Sequence, residues 1–270
     1  MRRDTRILLI GFGNMGQALV KGWLARGHSR GAIAVVDREA AAVEQAAALG
    51  IEVRAETVQG EPPDVVVLAV KPSQLAAVLA QCQPLVSSRR VFLSIAAGKT
   101  IGFMLEILGD GAHVVRAMPN TPAAIRAGMT VLAASTAVTP EQRTVCNDLL
   151  AAVGEAAWVE DEAHLDAVTA VSGSGPAYVF LLIECLERAA MDVGLDAALA
   201  KQLAIATVAG AGAYARAAAE SAAELRRRVT SPGGTTEAAL AVLRAEGGMA
   251  DLVMRAVRAA AERSRELSRA

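Results

Sequence analysis

The stretch that most constrains the fold of this chain is Ile7-Leu8-Leu9-Ile10 running into Gly11-Phe12-Gly13-Asn14-Met15-Gly16. Four apolar residues ending at a glycine suit a strand buried on both faces. The pattern through Ala18, Leu19, Gly22, Trp23 and Leu24 suits a helix, which Gly27 ends. A second strand, Ile33-Ala34-Val35-Val36, finishes at Asp37. Strand, glycine turn, helix, strand and an acidic residue about 20 positions on is the order of a dinucleotide-binding βαβ unit. Each glycine has its own part in such a unit. Gly11 makes the tight turn, Gly13 lets the backbone approach a pyrophosphate, and Gly16 lets helix pack close to strand. Phe12, Asn14 and Met15 complete that loop.

The residues after the second strand leave the choice of dinucleotide open. Asp37 suits the adenosine ribose hydroxyls, which favours NAD, whereas Arg38 could pair with a 2′-phosphate, which favours NADP. A plain alternative is a solvated strand end carrying a local salt bridge. Further strands are expected at Val65-Val66-Val67-Leu68-Ala69-Val70, Val91-Phe92-Leu93-Ser94-Ile95 and His113-Val114-Val115-Arg116-Ala117-Met118. They end at Lys71-Pro72, at Ala96-Ala97-Gly98 and at Pro119-Asn120-Thr121-Pro122. Ligands of open parallel sheets sit beyond the carboxyl ends of the strands, so Ala69, Val70, Lys71, Pro72, Ala97, Gly98 and Asn120 join the glycine loop on one edge. Lys71 could neutralise phosphate or contact ribose. Asn120 could hydrogen-bond near a nicotinamide, or could equally be a turn-former between two prolines. Val131-Leu132-Ala133-Ala134 and Trp158-Val159 read as last strands, and Thr139-Pro140-Glu141 as a capped helix start.

Composition narrows the functional classes. The 270 residues, 53% of them hydrophobic, can bury a real core in one large or two modest domains. A net charge of −1 and an aromatic share of 3% argue against nucleic acid as a partner. Arg226-Arg227-Arg228 is a short basic run best read as a solvated helix face. Cys82, Cys146 and Cys185 are scattered without metal-ligand spacing, which suits a reducing cytosol and no metal site. The basic N-terminus leads into too few apolar residues for a signal peptide. The longest apolar run, residues 177–183, is too short to cross a bilayer, so a cytoplasmic protein is expected.

After about residue 160 the strand signals stop and Ala, Leu, Glu and Arg dominate. Two domains are expected, residues 1–160 and 161–270. The small-residue content of the second suggests an interlocked homodimer, the alternative being a monomeric helical cap. Two segments interrupt it. Ser172-Gly173-Ser174-Gly175-Pro176-Ala177-Tyr178 should bend the chain and leave backbone groups unpaired, although a plain loop would also fit. Thr230-Ser231-Pro232-Gly233-Gly234-Thr235-Thr236 runs straight into the helix former Glu237-Ala238-Ala239-Leu240. A helix start carries free N–H donors and partial positive charge, so this turn could hold a carboxylate or phosphate. Alternatively it is an ordinary turn with a threonine N-cap.

In this order, the glycine loop, Ala69-Val70-Lys71-Pro72, Met118-Pro119-Asn120-Thr121-Pro122 and the two glycine-rich helical motifs closely resemble pyrroline-5-carboxylate reductases. The resemblance runs from about residue 6 to residue 267, and the last two motifs are its specific part. It implies an α/β Rossmann domain followed by an all-helical dimerisation domain, with dimers that can assemble into decamers. It also implies NADH or NADPH as hydride donor and the cyclic imine 1-pyrroline-5-carboxylate as acceptor, giving L-proline. By resemblance, Ser231, Gly233, Gly234, Thr235 and Thr236 cradle the substrate carboxylate, and Thr236 places its hydroxyl near the imine nitrogen. Ser174, Gly175 and Pro176 would then line the ring pocket.

A protonated imine is already electrophilic, so its reduction needs positioning rather than a triad, a metal or a Schiff-base lysine. His28, His113 and His164 all fall outside the motifs. Three positions depart from the family pattern. Ala222 stands where proline is common, Lys99 where an apolar residue is usual and is expected to point to solvent, and Asp37 argues against a strict NADPH preference. A β-hydroxyacid dehydrogenase would need a catalytic lysine in the second half, which holds only Lys201. A non-catalytic dinucleotide sensor would not need both helical motifs.

Overall fold

The computed structural model describes residues 4–269. They form two compact units, one of residues up to Gly173 together with residues 260–269, and one of Ser174–Ala259.

The first unit is an eight-stranded sheet in the order β3-β2-β1-β4-β5-β6-β7-β8. Its strands are β1 (Ile7–Ile10), β2 (Ile33–Val36), β3 (Glu52–Arg54), β4 (Val65–Leu68), β5 (Val91–Ser94), β6 (His113–Met118), β7 (Gly128–Ala134) and β8 (Gly154–Trp158). From β3 to β6 neighbouring strands are parallel, β7 runs antiparallel to β6, and β8 is parallel to β7. The short β3 was not expected from sequence. Its alternation of Glu52, Val53 and Arg54 at a sheet edge is too brief to stand out.

Parallel strands with helices on both sides must be apolar on both faces, and β1, β4 and β5 are buried at every residue. One face packs Leu9, Val67 and Leu93 against Leu19 and Trp23 of α1 (Asn14–Ala25), Ala46 of α2 (Ala40–Ala48) and residues of α5 (Pro140–Ala151). The other packs Leu8, Val66 and Phe92 against α3 (Leu75–Cys82), α4 (Ile101–Leu108) and Leu165 of α6 (His164–Val168). Trp23 is fully buried and donates its indole N–H to the Leu149 carbonyl at 2.9 Å, joining α1 to α5. Thr139 opens α5 with a complete capping box: its hydroxyl accepts from the Gln142 N–H, and the Gln142 side chain reaches back to the Thr139 N–H.

The sheet ends at Trp158, but the unit continues to Gly173. Leu165 enters its core, and Glu162 accepts from the Arg116 guanidinium at 2.8 Å and from the Ile101 N–H at 2.9 Å. The terminal turns return to the same unit through Ser264, which donates to Asp166 at 2.6 Å.

The second unit holds α7 (Gly175–Asp192), α8 (Ala197–Ala217), α9 (Ala222–Arg228), α10 (Thr235–Leu243) and the first part of α11 (Met249–Arg269). It has almost no interior of its own. Helix α7 buries no residue, α10 none, and α8 only Ala200 and Ala204. Phe180, Leu181, Leu199 and Leu203 are exposed. The helical stretch His164–Asp192 is 29 residues long, long and apolar enough to span a bilayer by length and composition. Sequence reading had allowed only a shorter apolar run, because Gly173, Gly175 and Pro176 were expected to break the helix. Instead Thr169–Gly173 form a π-helical turn, and α7 starts directly after it with Ser174 as its N-cap. Proline is tolerated because Pro176 lies in the first turn of α7, where its missing N–H has no partner to lose.

Candidate active site

The parallel strands bring the expected dinucleotide residues to one edge. Gly11 follows β1, Asp37 follows β2, Ala69 to Pro72 follow β4, Ala97 and Gly98 follow β5, and Asn120 follows β6. Gly11 sits at φ +95°, and a Cβ there would lie 2.6 Å from the Ala69 carbonyl oxygen. A Cβ on Gly16 would lie 2.4 Å from the Gly11 carbonyl oxygen, so both positions exclude any larger residue. Gly13 differs. It is the N-cap of α1, no side chain caps that helix, and a Cβ on Gly13 would meet nothing within 4 Å. The first-turn N–H groups of Asn14 and Met15 follow directly on this open position. Unpaired donors and a helix dipole there suit a pyrophosphate, so these residues fit a dinucleotide.

Asp37 is half-buried and firmly held. One carboxylate oxygen accepts from the Phe12 N–H at 2.5 Å, the other from the Glu39 N–H at 2.9 Å. Arg38 is exposed. Lys71 is exposed at the start of the short helical turn Pro72–Gln74. Gly98 takes φ +70° against Leu267 of α11. Lys99 does not point freely to solvent: its ammonium lies over the Phe103 ring, 4.7 Å from the centroid. The attraction of an ammonium for the ring face explains why a cation is accommodated at a usually apolar position.

Asn120 is hydrogen-bonded through both ends of its amide. Its amide NH2 donates to the Ser172 carbonyl (3.3 Å) and hydroxyl (3.2 Å), and its carbonyl accepts from the Met129 N–H at 2.9 Å. The side chain is thus engaged within the protein. It ties the end of β6 to β7 and to the π turn. A Cβ on Gly173 would fall 2.5 Å from the Met118 methyl carbon, so the glycine lets that turn seat against β6. Ser172 was legible as part of a motif, but its partner was not, since 52 residues separate them.

In the helical unit, the Thr230–Thr236 segment forms a turn into α10. Gly234, not a threonine, is the N-cap, and no side chain caps the helix. Gly233 adopts φ +71° and donates its N–H to the Glu237 carboxylate at 2.7 Å. The Thr230 hydroxyl donates to the Arg226 carbonyl at 2.7 Å, Ser231 is exposed and Thr236 half-buried. The turn therefore does hold a carboxylate, that of Glu237, which sequence reading had not singled out. Its spacing from Gly234 is that of a capping box, a signal available in the chain. The same device recurs before α11, where Gly247, also at φ +71°, donates to Asp251 at 2.7 Å. Backbone geometry alone does not distinguish the first turn from the second. The hydroxyls of Ser231, Thr235 and Thr236 do. Ser174, Gly175 and Pro176 lie at the start of α7, all half-buried.

Other reactive groups are accounted for structurally. Burial pushes the Cys82 thiol up to about 12 and raises Cys146 as well, so neither serves as a nucleophile. His113 bonds the Gln142 side chain at 2.6 Å. Among the described residues, no group of three or more His, Cys, Asp or Glu is placed to hold a metal.

The pyrroline-5-carboxylate reductase dimerisation family matches residues 162–267, and the family described as NADP oxidoreductase, coenzyme F420-dependent, matches residues 6–98. The pyrroline-5-carboxylate reductase of Pseudomonas aeruginosa is 43% identical over 268 residues, 97% of each chain. Among solved structures, a pyrroline-5-carboxylate reductase from Coxiella burnetii has a TM-score of 0.94 at 38% identity, covering 98% of this chain and 99% of that one. The Plasmodium falciparum pyrroline carboxylate reductase with NADP bound has a TM-score of 0.84 at 27% identity and the same coverage. With its glycine cradle, its helical motifs and this likeness over nearly the whole length, the chain belongs to the pyrroline-5-carboxylate reductase family.

Proposed function

We infer that this protein reduces 1-pyrroline-5-carboxylate to L-proline, with a reduced nicotinamide dinucleotide as donor, in the last step of proline biosynthesis. The observation that carries this reading is near-complete family likeness together with an uncapped, open glycine cradle at the start of α1. The N–H groups of Asn14 and Met15 would bind the pyrophosphate, with Gly13 giving access and Lys71 adding positive charge at the same edge. When bound, the dinucleotide supplies hydride to the imine carbon.

The chain's own task is then to bind and orient. Ser231, Gly233, Gly234 and Thr235 would hold the substrate carboxylate, and the Thr236 hydroxyl would orient the imine nitrogen. Ser174, Gly175 and Pro176 would bound the ring. Binding of an external carboxylate at Gly233 requires Glu237 to release that N–H. Asn120 contributes by positioning the π turn. We further assign residues 161–270 as the dimerisation and substrate domain of a cytoplasmic homodimer able to assemble into a decamer. The exposed apolar helices of the second unit support a partner subunit.

Steady-state kinetics with 1-pyrroline-5-carboxylate and either cofactor tests the reading. Ser231→Ala should raise KM through a contact kept in the transition state. Thr236→Val should lower kcat on the order of tenfold, the loss of one orienting hydrogen bond. Dinucleotide dissociation constants should survive both changes. Absence of NADH and NADPH oxidation in the wild type would overturn the assignment, and unchanged kinetics in both variants would remove this turn from the site.

A further inference from the structure

We propose that Asp37 makes this protein select NADH over NADPH. The inference rests on the dinucleotide reading above and deepens it. Sequence alone left Asp37 and Arg38 pulling in opposite directions, and the structure separates them by how each is held.

Asp37 lies just past the C-terminal end of β2, next to the glycine loop that follows β1, where an adenosine ribose meets a dinucleotide-binding sheet. Its carboxylate is clamped from two sides. The Phe12 N–H of the glycine loop binds one oxygen and the Glu39 N–H binds the other. Both donors are backbone groups, so the side chain cannot swing aside without leaving an N–H unpaired. Each oxygen has engaged one lone pair and keeps another, so the pair can accept from two neighbouring hydroxyls of an unmodified ribose. A 2′-phosphate brings charge near −2 and acceptor oxygens to the same place, where it meets a fixed negative charge.

A site built for NADP would need cations to outweigh that repulsion. Arg38 is one, but it is exposed on the loop and followed by the acidic Glu39. Arg54 is the next candidate, since β3 pairs Arg54 with Val36 of β2. Its guanidinium is already committed to the Glu52 carboxylate at 2.7 Å and the Gln59 carbonyl at 2.6 Å. Lys71 follows β4, two strands from β2 in the sheet order. Among the described residues at this strand end, one solvated arginine is thus set against one fixed and one neighbouring carboxylate, and the balance falls to the unphosphorylated ribose.

Calorimetric titration of the full-length protein with NADH and with NADPH, in the absence of substrate, tests this. The wild type should bind NADH at least tenfold more tightly. Asp37→Asn keeps an acceptor for the Phe12 or Glu39 N–H but removes the charge, and should shrink the NADH-to-NADPH ratio about tenfold. Arg38→Ala should leave NADH binding within about twofold, because Arg38 does not hold the ribose diol. Equal or tighter binding of NADPH by the wild type would overturn the proposal. So would an unchanged ratio in Asp37→Asn, once its unfolding curve matches the wild type's. Should the protein bind both dinucleotides but turn over no imine, the reductase reading fails while the binding ratio still decides the role of Asp37.

Discussion

The sheet unit and the helical unit solve the burial problem in opposite ways. In the first, strands buried at every residue lie between helices on both faces, and Trp23, Phe12 and Phe92 are wholly enclosed. In the second, an 18-residue helix buries no residue, and Phe180 and Leu181 are more than half exposed. The first closes its core within one chain. The second carries comparable apolar content without the layers to cover it, and a monomer rarely exposes so much contiguous apolar surface without a partner. Membership of a family with a dimerisation segment over residues 162–267 accounts for that surface as a subunit interface. The same family segment includes the membrane-length helix His164–Asp192.

The sharpest test removes core from the closed unit. Phe92→Ala should cost about 3–5 kcal/mol in urea unfolding, the usual loss for a buried aromatic, with no dependence of that loss on protein concentration. A cost below about 1 kcal/mol would mean the sheet is not the self-sufficient unit described. Next comes the buried ion pair of the same unit. Arg116 is only 5% exposed, and Glu162 anchors to it and to the start of α4. Arg116→Met strands that carboxylate and should cost about 3 kcal/mol, whereas adding Glu162→Gln should recover part of it. A double variant as unstable as the single one would show that packing, not charge, governs the site.

The open unit should respond to concentration instead. Phe180→Asp should raise the dimer dissociation constant at least about tenfold, or 1.4 kcal/mol, measured by sedimentation, while the sheet unit stays folded by hydrogen exchange. An unaffected dimer would place the interface on another face of the helices.

The smallest effect concerns pH in the sheet unit. His28 donates from Nε2 to the Thr5 carbonyl at 2.9 Å, while its buried Nδ1 has no hydrogen-bond partner among the described residues. Burial lowers its pKa below the ordinary value of 6.5, with the Thr5 bond a smaller opposing influence. The unfolded chain then binds the proton more readily, so the contribution is intact above about pH 6.5 and is lost as pH falls through the folded value. Equilibrium unfolding should show this as a loss of under about 1 kcal/mol between pH 7 and pH 5.5 that His28→Gln abolishes. The same slope in the variant would assign it to other groups.

Legibility followed the range of the interactions. The glycine loop, β1, β2 and the capped start of α5 were readable because each is decided by residues within one turn or strand. β3 was not, since three alternating residues at an edge carry little pattern. The expected break at residues 172–178 became a π turn because Asn120 and Met118, distant in sequence, hold Ser172 and Gly173 in place. The Thr230–Thr236 turn is legible in the sequence, and so is the capping-box spacing of its occupant Glu237.

Apolar periodicity, glycine spacing and motif order were enough to establish the Rossmann half, the helical half and the family. These are local properties: a βαβ unit needs particular residues at particular separations, and nothing far away can supply them. Only the folded chain decided what the polar side chains do. It turned Asn120 inward, laid Lys99 over Phe103, and clamped Asp37 between two backbone donors. A side chain's partner depends on which segments the sheet brings together, and hydrogen-bond geometry, not sequence distance, selects among them.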